Sequence, residues 1–431
     1  MPRHLLRQVR LIDPIASLDR VTDVLLADGV IAEIADSIDA QADEVIDRPG
    51  LVLGTGLIDL YSHSGEPGFE SRETIDSLMQ AAKAGGFTQV AILPDTHPAV
   101  DNPANVDRVR QLAQGDEVQL HVWGAFTQDA AGNALSELVE LAAAGVVGFA
   151  DGQPIANSAL LRRLLEYTQP IDRPIALYCC DPKLAGNGVM REGANSIRLG
   201  LPGNPAMSET SAIAALLEIV AEIHYRTGST VRPAKLIRDG SPVHLMRLST
   251  ARSVDLIRTA KAQGLPITAS TTWMHLLLDT NDLISYAPSL HLDPPLGNPI
   301  DRQALIAGLQ DDTIDAIAID HSPFTYEEKT VAFAEAPAGA IGLELALPLL
   351  WRCLVKSGQW TAIDLWRKLS VDPARCLGLS LNAIEPGKPA NCILFDPEQI
   401  WRVDEQTLKS RSSNTPWYGQ EIQGRVVRVW R

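Results

Sequence analysis

Eight short apolar, β-rich runs recur through the middle of this chain, each followed by a segment of helical character. No other feature limits the possible fold as strongly. The runs are GLIDLY from Gly56, TQVAILP from Thr88, QLHVWG from Gln119, GVVGF from Gly145, PIALY from Pro174, SPVHLM from Ser241, LPITAS from Leu265 and IDAIAI from Ile314. Runs apolar on both faces read as strands buried on both sides, and strand-helix alternation calls for parallel pairing through right-handed crossovers. Eight such units close into a (β/α)8 barrel, so the expected class is α/β. Two of the intervening helices have clear ends. ESRETIDSLMQAAKAGG carries early acidic residues and stops on Gly85-Gly86, and STARSVDLIRTAKAQG starts on Ser249 or Thr250 as its cap.

The two ends of the chain read differently. LLRQVRLI and VTDVLLADGVIAEIAD alternate apolar with polar, and the Asp28-Gly29 centre is a two-residue hairpin signal. ANCILFDP and EIQGRVVRVWR do the same at the other end. The predicted division is 1–53 and 379–431 as two parts of one small β-sandwich, with the barrel over 54–378.

A barrel of this kind carries its chemistry at the C-terminal ends of its strands. The residues found there are Tyr61 with His63, Asp95, Asp151, Tyr178, Arg247, Asp293 in a later loop, and Asp320 with His321. The first strand is the most suggestive, reading GTGLIDLYSHSGEPG over 54–68. Alternate side chains of a strand share a face, so Asp59, Tyr61 and His63 are expected to point into one cavity. Two imidazoles two residues apart would grip one zinc ion from such a strand. Here one of the two positions is a tyrosine, and a lone histidine at a strand end is more often a hydrogen-bonded core residue than a ligand.

Composition excludes several function classes. A formal charge of −16 and a pI near 5.0 argue against a nucleic-acid partner, which requires a basic surface. No apolar run reaches the roughly 18 residues of a membrane span, and MPRHLLRQVRLIDP lacks the hydrophobic region of a signal peptide. A cytoplasmic location without membrane contact is the expectation. The five cysteines, Cys179, Cys180, Cys353, Cys376 and Cys392, have no metal or redox spacing and read as free thiols.

The first-strand stretch, continuing through Glu66-Pro67-Gly68, resembles the Asp-x-His-x-His opening of the cyclic amidohydrolases and specifically that of dihydroorotase. GGFT at Gly85, PDTHPAVDN at Pro94, GFADGQP at Gly148, CDPKL at Cys180, LST at Leu248, HLLL at His275, DPPL at Asp293, DHSPFTYEEK at Asp320 and SNTPWYG near the end extend that likeness over nearly the whole chain. The resemblance implies a barrel flanked by a β-sandwich built from both termini. It also implies zinc ligands at positions that here hold Tyr61, His63, Asp151, Tyr178, Arg247 and Asp320, so three of the four histidines are replaced. The residual set is His63, Asp151 and Asp320, with Asp320 in the family's proton-shuttle position.

Tyrosine near its ordinary pKa of about 10 is a poor zinc ligand at neutral pH. Arg247 is the larger change. A guanidinium about 4 Å from a dication meets a repulsion of roughly 8 kcal/mol at an effective dielectric near 20. Without an ion, Asp151 and Asp320 would face each other in a confined cavity. Arg247 is expected to stand in for the metal by pairing with Asp151 or Asp320, with Tyr61 or Tyr178 as a further acceptor; the alternative places it in a surface loop. The family arginine that clamps an anionic substrate falls on Gly65, and two family asparagines fall on Asp95 and Asp293. The substrate positions are thus Gly65, Asp95 and Asp293, a set that disfavours an anion. The family's last histidine of the DHSPFTYEEK region is Phe324, and His275 reads as structural.

Two functions follow from the resemblance. One is a dihydroorotase-like protein of pyrimidine biosynthesis without cofactor or catalysis, a structural partner of aspartate transcarbamoylase and a homo-oligomer. The other is an active dihydroorotase, or another cyclic amidohydrolase, holding one zinc through His63, Asp151 and Asp320.

Overall fold

The computed structural model describes residues 3–115, 117–226 and 243–431. Eight parallel strands run in sequence order around a barrel: Leu57–Ser62, Phe87–Ile92, Gln119–Gly124, Gly148–Phe149, Ile175–Tyr178, Val243–Met246, Ile267–Thr272 and Ala316–Ala318. Each corresponds to one of the eight apolar runs, although Ser241 and Pro242 of the sixth run lie outside the described residues. The first and eighth strands meet through the Asp320 amide on the Tyr61 carbonyl (3.1 Å) and the His63 amide on the His321 carbonyl (2.8 Å). Asp59 sutures the same seam from below, its carboxylate accepting from the Ile319 amide (2.9 Å) and the Ser62 hydroxyl.

The inside of the barrel is filled rather than open. Ala91, Ala150, Ala176, Ala316 and Ala318 make room for Tyr61, Trp123 and Met246, and the Trp123 indole donates to the Leu60 carbonyl at 2.9 Å. Alternating small and large side chains let strands of unequal length close on one packed core. The helices end as the sequence predicts: Ile75–Gly85 is capped by Thr74 and stops on Gly86 at φ +86°, and Ala251–Ala262 is capped by Thr250.

Both chain ends form one seven-stranded sheet: His4–Asp13, Leu18–Ala27, Val30–Ala35, Glu44–Asp47, Val52–Thr55, Cys392–Arg402 and Glu421–Trp430. The Asp28-Gly29 turn has positive φ at both residues, 54° and 76°, as a tight hairpin of that hand needs. The bulge between Leu6 and Val9 splits the first strand's pairing, so one part lies beside Glu44–Asp47 and the other beside Val52–Thr55. One face of the sheet has its own core around Leu6, Val24, Leu53 and Leu394. The other face is welded to the barrel by Trp351, Trp366 and Phe395, whose rings meet edge to face at 5.5–6.4 Å. The Trp366 indole donates to the Thr55 carbonyl at 2.9 Å and lies where any side chain on Gly54 would have to go. Among the described residues, no helix is long and apolar enough to cross a membrane.

A late segment of the chain returns to the barrel mouth. Glu73, fully buried at the start of the first barrel helix, accepts from the Ser410 hydroxyl and the Arg411 amide (3.0 Å) and faces His321 Nε2 at 3.3 Å. Asn414 donates to the carbonyls of Ser322 (2.9 Å) and Gly339 (3.2 Å), tying down the loop that follows the eighth strand.

Candidate functional site

The C-terminal mouth of the barrel opens into a cavity of about 250 Å³ lined by His63, Arg247, Asp293 and Asp320 among others. A second chamber of about 170 Å³ shares His63, Gln153, Ser322 and Ala338 with it. Arg247 ends the sixth strand inside the mouth, only 5 % exposed, so the surface-loop alternative does not hold. Nη2 donates to Asp320 Oδ1 at 2.7 Å and lies 2.9 Å from His63 Nε2, and Nη1 donates to the Gly152 carbonyl at 3.1 Å. Its carbon centre lies 5.2 Å from the Tyr178 ring and 5.8 Å from that of Tyr61. Arg247 and Asp320 both adopt left-handed backbone, φ +56° and +54°, which costs about 1 kcal/mol or more for a residue with a side chain. The ion pair that joins them holds both in place.

Burial would raise the Asp320 pKa, but the Arg247 charge beside it wins and lowers it to about 2. Burial likewise opposes protonation of His63. The flanking carboxylates of Asp95 and Asp320 overcome it and raise the imidazole to about 9. A guanidinium nitrogen can only donate, so its position 2.9 Å from Nε2 requires a lone pair there, with the ring proton on Nδ1 pointing to Asp95 Oδ2 at 2.6 Å. A second proton on Nε2 has to displace that contact toward Asp320 Oδ1, 3.5 Å away.

Tyr61 hangs beneath this cluster. Its hydroxyl accepts from the Arg247 amide (3.1 Å) and meets the Ser270 hydroxyl at 2.8 Å, which in turn meets His244 Nε2 at 2.9 Å. The contact between Arg247 and Tyr61 therefore runs through the backbone amide and ring stacking, with no guanidinium donation to either tyrosine hydroxyl. Tyr178 donates its hydroxyl to Asp293 instead.

Asp151 departs from expectation. It does not face Asp320 and makes no ion pair with Arg247 among the described residues; its carboxylate takes the Thr127 amide (3.1 Å) and hydroxyl. The loop after the third strand supplies both donors, and Asp151 lines neither chamber of the mouth. Burial without a counter-charge pushes its pKa up to about 7. Asp59 also stays out of the cavity, occupied by the seam.

Of the three substrate positions, Gly65 cannot hold a side chain at all: a Cβ there would lie 2.4 Å from the carbonyl oxygens of Phe69 and Glu73. Asp95 lines the second chamber beside His63, with Oδ1 buried and unpartnered, and Asp293 lines the first. Arg72, read from sequence only as part of a helix start, lies in the same chamber as Gly65. It is held between the rings of Phe69 (4.6 Å) and Phe324 (4.8 Å), and its Nε donates to Glu328 at 3.0 Å. The two segments, 69–72 and 324–328, are joined by no local pattern, so nothing in the sequence signalled the contact. His275 lines the first chamber with its ring on Thr272 Oγ1 (2.7 Å), a fixed neutral residue whose pKa burial lowers to about 4.

The donor set does not suit zinc. Both His63 nitrogens are engaged, Asp151 is bonded to Thr127, Asp320 is ion-paired, and a guanidinium lies among them. Among the described residues, no group of three or more His, Cys, Asp or Glu side chains converges as a metal would need.

Comparison with known proteins gives one answer at three levels. A family model described as the amidohydrolase family matches residues 52–431. A probable dihydroorotase-like protein of Synechocystis is 46 % identical over 97 % of this chain and 98 % of its own length. A dihydroorotase of Pelotomaculum thermopropionicum is 37 % identical over 96 % and 93 %. Among solved structures, the L-hydantoinase of Arthrobacter aurescens superposes with a TM-score of 0.82 at 20 % identity, covering 99 % of this chain and 94 % of that one, a likeness of fold alone.

Proposed function

The chain belongs to the amidohydrolase family, and from that premise we propose that it is a dihydroorotase-like protein of pyrimidine biosynthesis that does not hydrolyse dihydroorotate and serves as a structural partner of aspartate transcarbamoylase. One observation carries the first part. The guanidinium of Arg247 is bonded to Asp320, the residue that would hold an ion and shuttle a proton in a working member. Hydrolysis of a cyclic amide needs an activated hydroxide and a Lewis acid. The ligands left here are too few and already committed to other partners. The absence of any clamp at Gly65, with carboxylates at Asp95 and Asp293, further disfavours a carboxylate substrate. The partner is inferred from the resemblance to dihydroorotase, and a homo-oligomer is part of the same reading.

The second reading is an active dihydroorotase, or another cyclic amidohydrolase, using one metal. It is favoured by relatives named dihydroorotase at 36–38 % identity along almost the whole chain. Elemental analysis and a turnover assay separate the two. Zinc well below one equivalent and no turnover of dihydroorotate, with or without transcarbamoylase, are expected; one zinc per chain with turnover establishes the second reading. Light scattering of the mixed proteins tests the partnership, and two unshifted species would remove it.

A further inference from the structure

The surroundings of Arg247 form a recognition site in their own right. Gly152 offers a carbonyl to Nη1 and Asp320 a carboxylate to Nη2; His63 Nε2, 2.9 Å from the same Nη2, accepts from it only in the neutral ring, and the rings of Tyr178 and Tyr61 lie 5.2 and 5.8 Å from the central carbon. Separate acceptors for the two terminal nitrogens and aromatic rings nearby suit a flat, delocalised monocation. Zinc asks instead for three or four donors closing tetrahedrally on a point. The Nε–H, the third corner of the guanidinium, is buried and has no partner, so the fit is made through the two terminal nitrogens. The guanidinium head carries the recognition, and the three methylenes only tether it. The backbone at Arg247, φ +56°, is one that glycine adopts without penalty, so the tether can be removed with little backbone cost.

We propose that this mouth is a guanidinium-binding site whose occupant is covalently attached, and that cutting the attachment leaves a site that takes a free alkylguanidinium in preference to a divalent metal. The inference rests on the reading that the mouth holds no zinc. It goes beyond that reading by naming the ligand class the scaffold selects. A buried ion pair stripped of one member leaves the other charge exposed to a low-dielectric site, and a ligand that binds only the folded state then stabilises it by mass action.

The test uses full-length Arg247→Gly protein, scanning calorimetry and titration calorimetry, with millimolar n-propylguanidinium chloride as probe. n-Propylammonium chloride, sodium chloride and zinc chloride serve as controls. The variant is expected to melt several degrees below the wild type. Propylguanidinium should raise its midpoint saturably, at one ion per chain, well beyond either monovalent control, and leave the wild-type midpoint unchanged. The inference fails if propylguanidinium does no more than propylammonium, or if zinc binds the variant more tightly than propylguanidinium does. Should Arg247→Gly not fold, the order of melting midpoints decides: wild type above Arg247→Lys above Arg247→Met is expected, and Met at or above Lys overturns it. Stoichiometric zinc in the wild type would remove the proposed function as well, whereas a zinc-free protein without rescue removes only this inference.

Discussion

Asp151 and Asp320 close the fourth and eighth strands at the same end of the same barrel, and both are buried, yet their carboxylates have opposite fates. Asp320 has a guanidinium at 2.7 Å and is held ionised, its pKa lowered to about 2. Asp151 has no cation, only neutral donors of which the amide and hydroxyl of Thr127 are the nearest, and burial pushes it up to about 7. Burial is common to both, so the difference lies in the counter-charge. Two dipolar donors do not offset the loss of water around an anion, and one fixed cation does. In this mouth Arg247, with the His63 imidazole beside it, decides which acid stays charged.

The strongest way to break that contrast is to neutralise each acid in turn. Asp320→Asn leaves Arg247 buried without its partner and should cost about 3 kcal/mol or more, read from urea denaturation at pH 7. Asp151→Asn keeps an acceptor for the Thr127 amide and should have the opposite sign. The native Asp151 binds its proton more tightly than the ordinary 3.8, so its contribution is intact below about pH 4 and declines as pH rises toward 7. The variant should therefore lose that decline and gain up to about 4 kcal/mol on wild type at pH 8, the shift of about three units setting the ceiling. Asp320 has the reverse dependence. Its pKa lies below the ordinary value, and its stabilisation is present above about pH 4 and lost as pH falls toward 2. If both asparagine variants shift stability in the same direction at pH 8, the counter-charge account is wrong.

A smaller effect sharpens the picture beneath the pair. Tyr61→Phe removes the acceptor of the Arg247 amide and the partner of Ser270, and should cost about 1–2 kcal/mol without altering the pH dependence assigned to Asp320. Chelation should have the least effect. Prolonged dialysis against a strong chelator is expected to leave the melting midpoint where it was, and a drop of several degrees would mean that an ion holds the mouth together.

The contrast was only half legible in the sequence. The eight apolar runs located every barrel strand, because strands buried on both faces must be apolar throughout. Arg247 stood out because the resemblance puts this permanent cation where the family has a metal-ligating histidine. The partner of Asp151 was not legible. Thr127 sits in a different loop, and only the stagger of neighbouring strands brings it within reach. The same holds for Asp59, which alternation aims at the cavity and which the closing seam between first and eighth strands captures instead. Arg72 meets Phe324 across more than two hundred residues, a contact decided by how two loops fold over the rim. Propensity and periodicity speak to what a residue does along its own strand, and these contacts are all made across strands.

The bonds from Ser410 and Arg411 to Glu73, and from Asn414 to the loop carrying Ser322 and Gly339, set an order of events during synthesis. Ser322 and Gly339 are part of the cavity wall, so that wall reaches its final form only after Asn414 has been made and has docked. A chain that ends between the eighth barrel strand and that tail has all its barrel strands but an unfinished rim.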